Sequence, residues 1–203
     1  MNPEASNKPW AESCDQNRQP ILEVLRQEFT EPGELLEIGS GTGQHAVYFS
    51  PELPHIVWHP SDVAENIGGI ELWRREAGLS NVKPAVVLDV AQHWPDRQYD
   101  YVFSANTAHI LSWPLVEKMI AGVGDRLGED GKFCLYGPFN RDGQFTSDSN
   151  RRFDQWLKSR DPFSGVRDIE DVRDCAENHS LRLAREYAMP ANNLTLVFQK
   201  ISR

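Results

Sequence analysis

The sequence predicts an α/β domain on a doubly wound seven-stranded sheet, five parallel strands plus a C-terminal antiparallel hairpin, with helices on both faces. Three observations predict it. Short apolar runs alternate with helix-period stretches along most of the chain, the pattern of a parallel sheet covered by helices. A glycine-rich turn, Gly39-Ser40-Gly41-Thr42-Gly43, follows the first such run and opens a helix. The last two runs are joined only by the short stretch Ala188 to Asn193, too short for a crossover helix, so they must pair antiparallel.

Taken in order, the first helix is expected over Pro20–Phe29. Asn17 would be its cap and Pro20 lies in the first turn, where a missing N–H costs little. Ile21, Leu25 and Phe29 recur every four residues beside Leu22 and give it one apolar face, and Glu31-Pro32-Gly33 ends it. Strands are expected at Leu35–Ile38, Ile56–Trp58, Ala85–Leu88, Tyr99–Ser104 and Lys132–Tyr136. The intervening helices fall at Gln44–Ser50, Ala64–Ala77 and Leu115–Leu127, and Ser149–Ser159 follows the fifth strand. A helix at Ile169–Asn178 precedes the hairpin strands Leu181–Tyr187 and Leu194–Gln199.

With 203 residues, the chain fits a single domain spanning 1–203, with residues 1–16 expected as a flexible N-terminal arm. No apolar run approaches the ~20 residues of a membrane span, and Met1–Trp10 lacks the apolar stretch of a secretory signal. Cys14, Cys134 and Cys175 are scattered, which argues against a disulfide framework or a zinc site and for a reducing compartment; cytoplasm is the expected location, with no metal. The net charge of −9 disfavours nucleic acid, because phosphate binding needs clustered Lys and Arg, and only Arg74-Arg75 and Arg151-Arg152 pair here. The partner expected is a small-molecule substrate. Oligomeric state is not legible.

The glycine turn carries the sharpest chemistry. In such folds ligands sit beyond the carboxyl ends of the strands. Gly39, Gly41 and Gly43 allow a tight turn and close approach of a ligand, while the helix start at Gln44 and His45 offers N–H groups to an anion. Asp62 ends the second strand at a spacing suited to a ribose diol, and Asp89-Val90 ends the third, where an acid can accept from an adenine amine and an apolar side chain can pack on its ring. The residues also match a nicotinamide-dinucleotide pattern, Gly41-x-Gly43-x-x-Ala46. Glu37 and Asp89-Val90 together weigh against it, since a carboxylate at Glu37 would repel a pyrophosphate but suits the amino group of S-adenosylmethionine. The expected cofactor-binding set is Glu37, Gly39, Ser40, Gly41, Gly43, His45, Asp62, Asp89, Val90 and Asn106.

The chain also resembles one family in particular, the methyltransferase-like 26 group. The matching segments are Asn17-Arg18-x-Pro20-Ile21, Leu36-Glu37-Ile38-x-Ser40-Gly41-Thr42-Gly43-Gln44-His45-Ala46, Trp58-x-Pro60-Ser61-Asp62, Asn106-x-x-His109-Ile110, Leu135-Tyr136-Gly137-Pro138-Phe139, Ser149-Asn150-x-x-Phe153-Asp154 and Met189-Pro190-Ala191-Asn192-Asn193-Leu194. One departure is Ser13-Cys14-Asp15, where smaller apolar residues are expected. The resemblance implies a Rossmann-like class I methyltransferase fold and S-adenosylmethionine as donor. It supplies no acceptor.

On the acceptor side, residues past the fourth and fifth strands should face the methyl group. His109 is the candidate base, with Tyr136 beside it as the second catalytic candidate; His109 can equally be a buried loop histidine. Asn17, Arg18, Asn150, Asn192 and Asn193 are candidate substrate contacts, although each also suits a cap or turn. The polar, glycine-containing stretch 140–150 has the composition of a lid. The leading expectation is methyl transfer to a small polar acceptor. A protein methyltransferase, a cofactor-binding but non-catalytic partner subunit, and an NAD-dependent oxidoreductase are the alternatives.

Overall fold

The computed structural model describes residues 8–92 and 94–202. Its elements run α1 (Glu12–Glu28), β1 (Gly33–Ile38), α2 (Gln44–Phe49), β2 (Ile56–Asp62), α3 (Ala64–Ala77), β3 (Val86–Val87), β4 (Tyr99–Ala105), α4 (Trp113–Arg126), β5 (Leu127–Asn140), α5 (Asp148–Arg160), β6 (Arg167–Asp168), α6 (Ile169–Asn178), β7 (Leu181–Met189) and β8 (Asn193–Lys200). The sheet order is β3-β2-β1-β4-β5-β8-β7, with β1 to β5 parallel and β8 antiparallel to both β5 and β7. This is the expected α/β sheet of five parallel strands with a C-terminal hairpin. A further two-residue strand, β6, which the sequence reading missed, pairs with the end of β5.

Chain direction along the sheet reverses between β1 and β4, and that switch point leaves a crevice at their carboxyl ends. Apolar side chains alternate across the strands and build two cores. One joins Ile21, Leu25, Phe49, Leu35 and Trp58 under α1 and α2; the other joins Leu36, Ile38, Val116, Ile120 and Val172 under α4 and α6. At ~25 cal/mol per Å² of apolar surface removed from water, each fully covered leucine or phenylalanine contributes about 1.5–3 kcal/mol.

Three elements depart from expectation. Helix α1 begins at Glu12, so Asn17 lies inside it, buried, and does not cap it; Ala11 is the N-cap. Its first turns overlap the expected arm and are held by tertiary contacts. Ala11 N–H donates to Gln44 Oε1 at 2.6 Å, and Trp73 Nε1 donates to the Pro9 carbonyl at 2.7 Å. Residues 1–7 lie outside the described residues. Strand β3 is only Val86–Val87, and Val87 is 58% exposed, which marks it as a sheet edge. Helix α5 is capped by Ser147, whose hydroxyl accepts from Asn150 N–H at 3.1 Å, rather than by Ser149 or Asn150.

Candidate active site

At the carboxyl end of β1 the backbone turns through three left-handed glycines, Gly39 (φ +71°), Gly41 (φ +57°) and Gly43 (φ +89°). Gly39 and Gly43 are needed for packing: a Cβ would lie 2.5 Å from Thr107 Oγ1 at the first and 3.0 Å from Ile70 Cα at the second. At Gly41 a Cβ would meet nothing within 4 Å. Its missing side chain therefore leaves open space beside the turn, the form of a cradle for a ligand. The strand ends are buttressed, with Ser61 Oγ donating to the Glu37 carbonyl at 2.6 Å and Ser104 Oγ to the Ile38 carbonyl at 2.9 Å.

Glu37 forms the floor. It shares the Leu35 face of β1, so its carboxylate is driven into the aromatic core, where Trp58 Nε1 donates to Oε2 at 2.8 Å and the Ser40 hydroxyl also bonds it. Desolvation by burial outweighs both donors and raises its pKa to about 7. Among the described residues no cation lies beside this buried carboxyl, which therefore lacks a counter-charge that an ammonium group would supply. Asp62 stands at the end of β2 and is nearly buried: its Oδ2 accepts from Gly41 N–H at 2.7 Å, and its Oδ1 accepts from Val63 N–H and from Asn66 Nδ2.

Other expected cofactor residues stand differently. The N–H groups of Gly43 and Gln44 are paired with Ser40 O and Thr42 Oγ1, so the turn offers fewer donors to an anion than expected. Ser40 serves the turn and Glu37, since its Oγ also accepts from Ser61 N–H. His45 turns away from the cradle: it stacks on Phe49 and places Nε2 2.8 Å from Asn17 Oδ1, with burial lowering its pKa to about 4. Asp89 caps a turn, accepting from Ala91 N–H and Gln92 Nε2, while Val90 is nearly buried beside it.

A cavity of about 390 Å³ opens near the carboxyl ends of β4 and β5. Helix α1 contributes Ser13, Gln16, Asn17 and Pro20 to its wall, the strand ends Asn106, Tyr136 and Pro138, and α5 Ser149, Asn150 and Phe153. Pro190, Ala191 and Asn193 of the hairpin turn complete it. Asn17 also hydrogen-bonds the Tyr136 hydroxyl, so His45, Asn17 and Tyr136 form a chain from α2 to the wall. Asn106 (φ +58°), Ala191 (φ +57°) and Asn192 (φ +59°) are left-handed without being glycine, a strain of roughly 1–3 kcal/mol each that clusters at this one place.

The cavity gathers Asn17, Asn106, Tyr136, Asn150 and Asn193 from distant parts of the sequence and leaves three candidates off its wall. Arg18 pairs with Asp15 at 2.8 Å and lies over the Tyr48 ring. Asn192 donates to Ser149 Oγ and supports Asn150 through its carbonyl. His109 lies behind Phe153, ring centroids 5.1 Å apart, and burial lowers its pKa to about 4, which leaves it a weak base. The stretch 140–150 is tied on its outer side, with Gly143 N–H donating to Asp168 and Arg141 paired with Glu186. Sequence reasoning missed Ser13, Gln16 and Phe153 as wall residues. Only their helical spacing relative to Asn17 and Asn150 carried a signal.

A family model described as "Protein of unknown function (DUF938)" matches residues 8–200. The chain belongs to this family. Among solved structures, the fold of this DUF938 protein is similar to the S-adenosylmethionine-dependent methyltransferase SibL in its apo form (TM-score 0.80, 16% identity, covering 94% of this chain and 56% of that one). It is similar also to an O-methyltransferase family 2 protein from Planctomyces limnophilus in complex with apigenin (TM-score 0.80, 14% identity, 93% and 60% covered). A third is CalO1, a methyltransferase in calicheamicin biosynthesis, in its SAH-bound form (TM-score 0.70, 14% identity, 91% and 54% covered). The chain thus spans a little over half the length of these proteins, and the likeness is one of fold. Among the described residues no helix is long and apolar enough to cross a membrane.

Proposed function

We propose that this protein is an S-adenosylmethionine-dependent methyltransferase acting on a small polar acceptor, as its resemblance to the methyltransferase-like 26 group also implies. One observation carries the reading: a buried, uncompensated Glu37 lies under a glycine turn that is open at Gly41, near a cavity lined by uncharged side chains. An ammonium group satisfies Glu37, the space at Gly41 admits the donor's chain, Asp62 suits a ribose diol, and Asp89 with Val90 suits an adenine. When bound, the donor supplies a methyl group on a positively charged sulfur, a strong electrophile. The protein's own contribution is alignment and exclusion of water. Asn17 and Tyr136 orient the acceptor, and Asn106, held left-handed by its N–H bond to the Tyr136 carbonyl, stands between the two halves of the site.

The test is a thermal-shift titration with S-adenosylmethionine, S-adenosylhomocysteine and NAD in parallel, since a ligand of the folded state raises the midpoint by mass action. The first two should stabilise the protein and NAD should not. Stabilisation by NAD alone would overturn the proposal.

A further inference from the structure

In a chain with a quarter of its residues charged, none of the described residues on the cavity wall bears a formal charge at neutral pH. The charged neighbours are turned aside: Asp15 pairs with Arg18, Asp148 with Arg151, and the buried Asp154 with Lys158 and the Val166 N–H. Neutral amides and hydroxyls of Asn17, Asn106, Gln16 and Tyr136 face the space beside a larger apolar surface that includes Pro20 and Phe153. An ion placed there would lose part of its water without gaining a counter-charge. The wall also lacks a proton acceptor of useful strength. Burial holds the Tyr136 phenol in its protonated form, and the imidazoles of His45 and His109 are packed on Phe49 and Phe153.

We propose that this cavity takes an uncharged small molecule and that its accepting atom is a sulfur that carries no proton, as in a thioether, attacking without a base from the protein. The proposal rests on the methyl-transfer reading above. A lone pair on the accepting atom forms the new bond to the methyl carbon as the carbon–sulfur bond of the donor breaks, and that bonding pair stays on the donor's sulfur. The methylated sulfur is then a sulfonium cation, and no proton has to leave it. An aliphatic hydroxyl must lose its proton as it attacks, and nothing on this wall receives it. The volume, near the low end of the ~300–1,000 Å³ typical of ligand pockets, limits the acceptor to about one ring or a short chain.

The test uses the full chain and four probes sharing one ring: benzyl methyl sulfide, benzyl alcohol, benzoate and benzylammonium. Ligand-observed NMR should show the two neutral probes binding at least tenfold tighter than either ion. Ser13→Asp puts a carboxylate on the wall at the second residue of α1, where an acid suits the helix dipole and folding is kept. It should raise benzylammonium affinity tenfold or more and leave benzoate excluded. With S-adenosylmethionine present, methyl transfer should occur to the sulfide and not to the alcohol. Equal binding of the ions, no response to Ser13→Asp, transfer to the alcohol at a comparable rate, or transfer to neither probe by a protein that binds donor and probe would each overturn the proposal. Absence of donor binding by calorimetry rejects the methyl-transfer reading instead, and the binding selectivity stands as a separate result.

Discussion

Replacing Glu37 by Gln should stabilise the free protein at alkaline pH while removing its affinity for the methyl donor. The native carboxyl has its pKa raised from 4.5 to about 7, chiefly by desolvation. Between those values the folded state holds a proton that the unfolded state has released. Stability therefore falls as pH rises from about 4.5 to 7 and is flat above that. At about 1.4 kcal/mol per pKa unit the loss is about 3 kcal/mol at pH 8. Gln mimics the neutral carboxyl, and its carbonyl still accepts from Trp58 Nε1; its amide disturbs the Ser40 hydrogen bond, which returns about 1 kcal/mol. The net gain at pH 8 is about 2 kcal/mol, or roughly 4–8 °C in Tm for a chain of this size. At pH 5 the advantage should vanish. Thermal melts of both proteins across pH 5–8 read this directly. A variant less stable at pH 8, or a gap independent of pH, would refute the assignment of Glu37 as a desolvated, uncompensated acid.

The glycine turn separates structural from ligand-facing positions. Gly39→Ala should lower Tm strongly, because its Cβ meets Thr107, whereas Gly41→Ala costs only ~1–2 kcal/mol of left-handed strain yet weakens donor binding at least tenfold by calorimetry. Ser147→Ala removes the α5 cap and should cost about 1 kcal/mol in denaturant melts with donor affinity unchanged. Tyr136→Phe should change stability by about 1 kcal/mol and leave donor affinity intact, while weakening whichever neutral probe occupies the cavity.

The parts of this molecule that were legible in the sequence are those specified locally. The expected bounds of α6, Ile169–Asn178, match because Asp168 caps an amphipathic stretch, and those of α3, Ala64–Ala77, because Gly78 ends it in the left-handed conformation. The glycine turn and the antiparallel hairpin follow from residue chemistry and connection length alone. What failed depends on contacts made across the fold. The start of α1 is fixed by Gln44 and Trp73, residues distant in the chain, so Pro20 was taken for a first turn when it lies inside the helix. His45 is expected to offer its backbone N–H at the start of α2, and the packing of its imidazole on Phe49 and Asn17 is a contact that its place after the glycines does not reveal. The place of His109 after β4 leaves open a base or a buried loop histidine, and the packing of Phe153 against it is a contact that only the fold shows. Asn17, Asn150 and Asn193 are 176 residues apart at the extremes (193 − 17), and only the fold shows that they share one wall.

The most direct test of the central claim is calorimetric titration of S-adenosylmethionine at pH 6 and pH 8 in buffers of different ionisation enthalpy, for the native chain and Glu37→Gln. Binding of an ammonium group over Glu37 favours the ionised carboxyl, so the native protein should release close to one proton at pH 6 and little at pH 8, with affinity rising between them. Glu37→Gln should release none and bind far more weakly. Binding with no proton release at pH 6, undiminished in the variant, would contradict the placement of the donor over Glu37.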